Sequence, residues 1–447
     1  MDIMGLLPSF GNVLFTLAAF VVALSVIVAI HEYGHYIIGR WSGIHAEVFS
    51  IGFGPILWSK HDQHGTRWQI AALPLGGYVK FLGDANAASG KDTAAIDALG
   101  DDQSNMRRTM HGAPLWARAA TVAAGPVFNF ILSILIFGVL AVWQGQIREP
   151  LTVETLLPNP AGERVLLTGD EILSIEGQPV TTLQEFRDTM DSLEVTDTVS
   201  YEVNRDGETI VLDGPYPYPA QVQAVQPSSA AKAAGMKVND IILTVDGATI
   251  TGFEDLRTLV GDSDGNALAM TVWRAGDVIE VSMTPKRVDL PLPEGGFETR
   301  WLIGITGGLI FEPQRGTLGL WDAAKYGVRQ TGFIIESSLS GLYHVITGAI
   351  STCNLSGPIG IAETSGAAAS QGANSFIFFI AVLSTAVGLL NLFPIPVLDG
   401  GHLVFFAYEA VSGRPPSDKA LKLLMTIGLT LMLSLMVFAL SNDLFCP

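Results

Sequence analysis

Four long apolar runs, each free of Asp, Glu, Lys, Arg and His, set the outline of this chain: residues 3–30, 119–147, 364–398 and 423–442. A helix crosses a bilayer in about 20 residues, so each run predicts a span. A fifth apolar stretch, 337–362, is broken by Gly341, Gly348, Gly357 and Pro358 and carries His344. It predicts an interfacial or re-entrant helix, with His344 an interfacial histidine. Residues 46–83 are β-branched, aromatic and Gly-rich on both sides of a polar turn, His61-Asp62-Gln63-His64-Gly65. They predict a β-hairpin or small sheet, too small for its own core and so supported by the membrane helices or dipping between them. The edge of such a sheet can accept an extended peptide by strand addition. His61 and His64 read as residues of a solvated turn. Residues 84–112, polar and rich in Ala, Gly and Asp, predict a mobile loop.

An internal repeat occupies residues 150–286, at an offset of 70 residues. Gly169-Asp170-Glu171-Ile172-Leu173-Ser174-Ile175-Glu176-Gly177 aligns with Asn239-Asp240-Ile241-Ile242-Leu243-Thr244-Val245-Asp246-Gly247. A helical segment follows each copy (183–190 and 253–260), and each then closes on a strand and tight turn. Each copy is large enough for one small β-rich domain.

Composition turns the pattern into a class. Hydrophobic residues make up 49% of the chain and charged ones 15%, which defines an integral membrane protein. The net charge of −18 argues against nucleic acid or an anionic membrane surface as the main partner. The first 30 residues lack a basic start, so no cleavable signal peptide is expected. Lys and Arg gather in the segment between the first two spans, at Arg40, Lys60, Arg67, Lys80, Lys91, Arg107, Arg108 and Arg118. The turn between the last two spans adds Arg414, Lys419 and Lys422. The positive-inside rule makes these loops cytoplasmic and puts both termini and residues 148–363 outside. Cys353 and Cys446, the two cysteines, then both lie on the oxidising side, where a disulfide is open to them; their lack of metal-ligand spacing argues against a thiolate zinc site.

The chemistry begins at His31-Glu32-Tyr33-Gly34-His35, at the cytoplasmic end of the first span. On a helix, H-E-x-x-H sets two imidazoles at i and i+4 on one face, able to share Zn²⁺, with the Glu placed as general base. Ionisable groups at membrane depth are costly and mark functional sites. A catalytic zinc needs a third protein ligand. The candidate is Asp399, in Asn391-Leu392-Phe393-Pro394-Ile395-Pro396-Val397-Leu398-Asp399-Gly400-Gly401-His402, where two prolines and two glycines break the third span. The competing readings are a helix-end charge at the interface for Asp399, and His402 as a rival ligand.

Together these motifs resemble the site-2 protease family of intramembrane zinc metalloproteases. The likeness takes in H-E-x-x-H, N-x-x-P-x-x-x-L-D-G and Gly125-Pro126-Val127-Phe128-Asn129 in the second span. The repeat resembles two tandem PDZ domains, the second copy (Ala230-Ala231-Lys232-Ala233-Ala234-Gly235-Met236 onward) better than the first, with its Ala161-Gly162-Glu163-Arg164. The arrangement is similar to bacterial proteases that cleave anti-sigma factors. The resemblance implies zinc on His31, His35 and Asp399, with Glu32 as base. It further implies Asn391 on the substrate backbone or oxyanion, and Gly76, Gly77 and Tyr78 in a substrate-clamping β-loop. Asn129 carries over as a catalytic residue or as a hydrogen-bonding link between helices.

The implied fold is a polytopic α-helical membrane protein of four transmembrane helices, with a membrane-associated β-hairpin and two inserted PDZ-like domains. Its expected parts are 1–45 (first helix), 46–113 (hairpin and loop), 114–148 (second helix), 149–216 and 217–290 (PDZ-like domains), 291–370 (linker with interfacial helices), 371–412 (broken third helix) and 413–447 (fourth helix). The implied setting is the bacterial inner membrane, with periplasmic PDZ domains and a site towards the cytoplasm. The implied partners are single-span, anti-sigma-factor-like substrates already cut outside, or remnant signal peptides, within the lipid bilayer. The PDZ pair either captures peptide C-termini or acts as a steric gate. Two rivals remain: a catalytically silent scaffold, against which the intact ligand set speaks, and an ion transporter, which leaves the PDZ pair unexplained.

Overall fold

The computed structural model describes residues 7–84, 103–158, 160, 165–226, 229–292 and 296–446. The chain divides into two compact units, Met1–Leu140 with Leu320–Pro447, and Ala141–Gly319. Ala161–Arg164 and residues 85–102 of the expected mobile loop lie outside the described residues. The loop's described end is packed rather than mobile: Gln103–Arg107 is helical, Met110 is buried, and the Met110 amide donates to Leu82 O at 3.1 Å.

The first unit runs α1 (Leu7–Trp41), β1 (Ala46–His61), β2 (Arg67–Phe81), α2 (Leu115–Gln144), α3 (Leu320–Thr347), α4 (Pro358–Ser370), α5 (Ala373–Asn391), α6 (Asp399–Ser412) and α7 (Asp418–Phe445). Among the described residues four helices are long and apolar enough to cross a membrane: Val13–Trp41 of α1, α2, α5 and α7. They fall on the four predicted runs. The broken fifth stretch becomes the end of α3, a short turn and the start of α4.

Lipid gives helices no hydrophobic reason to associate, so small residues and buried polar bonds hold them together. Gly34 of α1 lies so close to the Ala124 carbonyl of α2 that a Cβ would collide with it. Gly388 of α5 would place a Cβ 3.1 Å from that of Asn129. Ser133 donates to Ala381 O at 2.8 Å and Ser384 to Asn129 O at 2.9 Å, pinning α2 to α5. At the start of α2, Arg118 grips Glu409 of α6 through two bonds of 2.6 and 3.0 Å. Cys353 and Cys446 are joined as a disulfide. Beside it, Asp443 of α7 accepts the Gly357 and Ile359 amides at 2.7 and 2.9 Å and so caps α4.

β1 and β2 form more than a hairpin, because each bends where glycine or proline interrupts it. Val48–Ile51 lie between Arg67–Ile70 and Gly77–Lys80, while Trp58–His61 pair with Arg67–Ile70. Gly52, at φ +89°, makes the bend: a Cβ there would meet the Ala71 and Leu73 carbonyls at 2.9 Å. Asp62 closes the turn, accepting from the His64 and Thr66 amides, Tyr36 Oη and Trp68 Nε1 at 2.8–3.1 Å.

In the second unit the 70-residue offset is structural. Glu171–Ile175, Leu183–Ser192, Thr198–Arg205 and Glu208–Pro215 correspond to Ile241–Val245, Phe253–Gly261, Leu268–Arg274 and Asp277–Met283. Both copies form a four-stranded sheet of the same order. Each also carries the same ion pair on a buried carboxylate: Asp170 with Arg205 at 2.7 and 2.8 Å, and Asp240 with Arg274 at 2.6 and 2.7 Å. Residues 291–370, expected as a linker, begin differently. Phe297–Leu302 pairs with Lys286–Pro291, Ile305–Gly307 with Val222–Val225, and Phe311–Pro313 with Val153–Leu156. Ile303 enters the core of the second copy, and Ile310 and Phe311 that of the first. The second copy is therefore nested inside the first, and both are completed by one stretch, 303–313.

Candidate active site

α1 carries His31, Glu32 and His35 unbroken and ends at Ser42-Gly43, where Gly43 takes φ +84° and Ile44 N bonds back to Gly39 O at 2.9 Å. The two imidazoles meet edge to face, with Nε2 atoms 3.2 Å apart.

Asp399 reaches them by the broken segment. After α5, Pro394 and Pro396 offer no N–H, and the chain satisfies itself through Ile395 N to Phe393 O at 2.7 Å and Leu398 N to Ile395 O at 2.8 Å. Gly400 sits against the Leu392 and Phe393 carbonyls and Gly401 against the Ile395 carbonyl, closer than any Cβ allows. That contact folds the start of α6 back onto the turn. Asp399 opens α6, where the helix N-terminus favours a carboxylate. Its Oδ2 lies 3.2 Å from His31 Nε2 and 3.5 Å from His35 Nε2. It is thus both a helix-end charge and a neighbour of the histidines.

These three residues fit a zinc ion. Tetrahedral bonds of about 2.0–2.1 Å require ligand atoms roughly 3.3–3.4 Å apart, and here they are 3.2, 3.2 and 3.5 Å apart. Asp399 Oδ2 is buried with no hydrogen-bond partner, a costly state for a carboxylate unless a cation completes it. His35 Nδ1 donates to Thr121 O at 2.8 Å, which turns the lone pair of Nε2 towards the cluster. On the α2 side, Gly125 has no Cβ, and one would run into His35 Nε2 and stand 2.8 Å from His31 Cε1. Among the described residues His31, His35 and Asp399 are the group that can hold a metal. His402 instead packs on Phe405, His344 bonds Ser340 O at 2.7 Å, and His64 bonds Arg40 at 2.6 Å.

Glu32 faces the sheet. Gly77 lies against it, with a built Cβ 3.2 Å from Glu32 Cγ and 3.0 Å from Val28 Cγ1. Tyr78 stacks on Phe53 at 5.9 Å and accepts from Gln69 at 3.3 Å; the Phe53 ring covers Gly76. Asn391 ends α5, at the far side of the turn from Asp399. Asn129, fully buried on α2, lies 3.2 Å from His31. Sequence reasoning missed the Thr121 carbonyl, because a backbone acceptor leaves no trace in residue type. Gly125 entered the sequence reading only as part of the second-span motif, not as the neighbour of both histidines that it is.

A His-His-Asp centre with a glutamate in the same helical turn, on a candidate membrane helix, is the apparatus of a zinc metalloprotease. The family model described as Peptidase family M50 matches residues 19–435, and this chain belongs to that family of site-2-type zinc metalloproteases. It is 36% identical over 434 residues to an inferred zinc metalloprotease of Agrobacterium fabrum, covering 95% of this chain and 94% of the relative. A similar protein of Brucella suis is 35% identical over 432 residues, 96% of this chain and 95% of the relative. The regulator of sigma-E protease RseP of Salmonella typhimurium is 31% identical over 461 residues, 97% of this chain and 99% of that protein.

Proposed function

We propose that this protein hydrolyses a peptide bond in or near the membrane segment of single-span proteins of anti-sigma-factor type. Such substrates have first been shortened outside; remnant signal peptides form a second class. The name of the Salmonella relative supports the regulatory substrate. The observation that carries the reading is the position of Glu32, in one helical turn with both histidines and against the Gly77–Val79 strand. Among the described residues no strand pairs with the far edge of Gly77–Val79.

A helical substrate has its amides bonded internally and closed to attack, so it must be drawn out. Strand addition beside Gly76, Gly77 and Tyr78 holds it extended next to Glu32. His31, His35 and Asp399 would hold the zinc, which would supply Lewis-acid polarisation and a water of lowered pKa. Glu32 takes the proton and returns it to the leaving amine. Asn391 binds substrate backbone or the developing oxyanion. The basic loops support a reading in which this end of α1 lies at the cytoplasmic side of an inner membrane, where water has access, and the repeats serve as PDZ modules in the periplasm.

Purified protein in detergent, assayed for zinc and for cleavage of a single-span test substrate, decides the reading. Glu32→Gln is expected to abolish cleavage with zinc retained. Equal cleavage by mutant and wild type overturns it.

A further inference from the structure

We infer that Asn129 is a positioning residue that fixes the tautomer of His31 for metal binding, an inference that rests on the metalloprotease reading. The two histidines face the same demand. A histidine that ligates through Nε2 must carry its proton on Nδ1, and that N–H needs an acceptor. His35 has one in the Thr121 carbonyl, 2.8 Å away. For His31, the group beside Nδ1 is the Asn129 carboxamide, with Nδ2 3.2 Å away and Oδ1 buried without a partner.

The two ends of a carboxamide have the same shape, and hydrogen bonding decides which faces where. With Nδ2 towards Nδ1, His31 keeps its proton on Nε2, where the metal belongs. Turned over, the carboxamide offers Oδ1 to Nδ1–H and frees Nε2. Only that orientation suits the loaded site. The rest of the residue is held firmly: it is fully buried, and its carbonyl accepts from Ser133 at 3.0 Å and Ser384 at 2.9 Å. A buried amide with one unpartnered end is a poor stabilising device, as expected of a group retained for orientation. Asn129 therefore acts through His31, as a positioning residue rather than one that touches substrate.

The test is zinc affinity by competition with a chromophoric chelator, together with the visible absorption spectrum of the Co²⁺-substituted protein. Asn129→Leu, similar in size but without an acceptor, is expected to weaken zinc binding about 10- to 100-fold and to alter the Co²⁺ spectrum. Asn129→Asp, which keeps an acceptor at the same place, is expected to restore affinity to near wild type. If Asn129→Leu does not fold, Asn129→Ala carries the same expectation. Wild-type affinity in the Leu or Ala variant, or equal loss in Asn129→Asp, overturns the inference. A wild type that neither binds zinc nor cleaves overturns the protease reading instead.

Discussion

On α1, His31, Glu32 and His35 share one uninterrupted helix, whereas Asp399 stands at the end of a break between α5 and α6. The first half of the site needs only helical periodicity to bring its groups together. The second half needs a turn closed on itself, two glycines pressed on backbone carbonyls, and an ion pair from α2 holding α6. A substitution on the exposed face of α1 therefore leaves the site intact, while one in the break displaces a ligand. The site is robust on one side and dependent on packing on the other.

The sharpest way to test this contrast is to remove a ligand from each half. His35→Ala and Asp399→Ala are both expected to lose stoichiometric zinc and all cleavage, measured by metal analysis after dialysis and by substrate turnover. Retention of zinc by Asp399→Ala would separate the halves and leave α1 as the whole site. Next comes Gly400→Val, whose side chain meets the Leu392 and Phe393 carbonyls. It is expected to cost about 3 kcal/mol or more in detergent unfolding and to release zinc. Val26→Ala, at a 38% exposed position of α1, is expected to stay within about 0.5 kcal/mol.

Arg118→Ala leaves Glu409 without its two-bond partner, at an expected cost of about 1.5–3 kcal/mol, and zinc should leave faster under chelation. A small, pH-dependent effect is expected at Asp62, outside the spans. Burial raises its pKa, but donors from Trp68, Tyr36, Thr66 and His64 outweigh that and hold it at about 2. A carboxyl lowered from 3.8 stabilises the fold above that value and loses the contribution as pH falls through about 2. Asp62→Asn should flatten that acid limb of the unfolding curve and cost less than about 1 kcal/mol at neutral pH.

Much of this was legible because its causes are local. Apolar length located the spans, and i, i+4 spacing located two ligands on one face. The offset of 70 located two like modules. The nesting of those modules was not legible. Ile305–Gly307 and Phe311–Pro313 are three-residue strands whose partners lie 80 or more residues earlier, and no local pattern records such pairing. The paired ions Asp170–Arg205 and Asp240–Arg274 were equally hidden, since each joins residues from separate strands. Cys353 and Cys446 were placed on one side by charge bias, but their bond depends on α7 ending beside the turn before α4.

By itself, then, the sequence determined the spans, the H-E-x-x-H face, the repeat and the candidacy of Asp399, all carried by composition and short-range periodicity. Tertiary structure alone decided that Asp399 meets both histidines, that Thr121 and Asn129 stand behind them, and that one stretch completes both modules. Those outcomes depend on which helices and strands pack together, and helix association in lipid is set by close-fitting small residues and a few buried polar bonds across long separations.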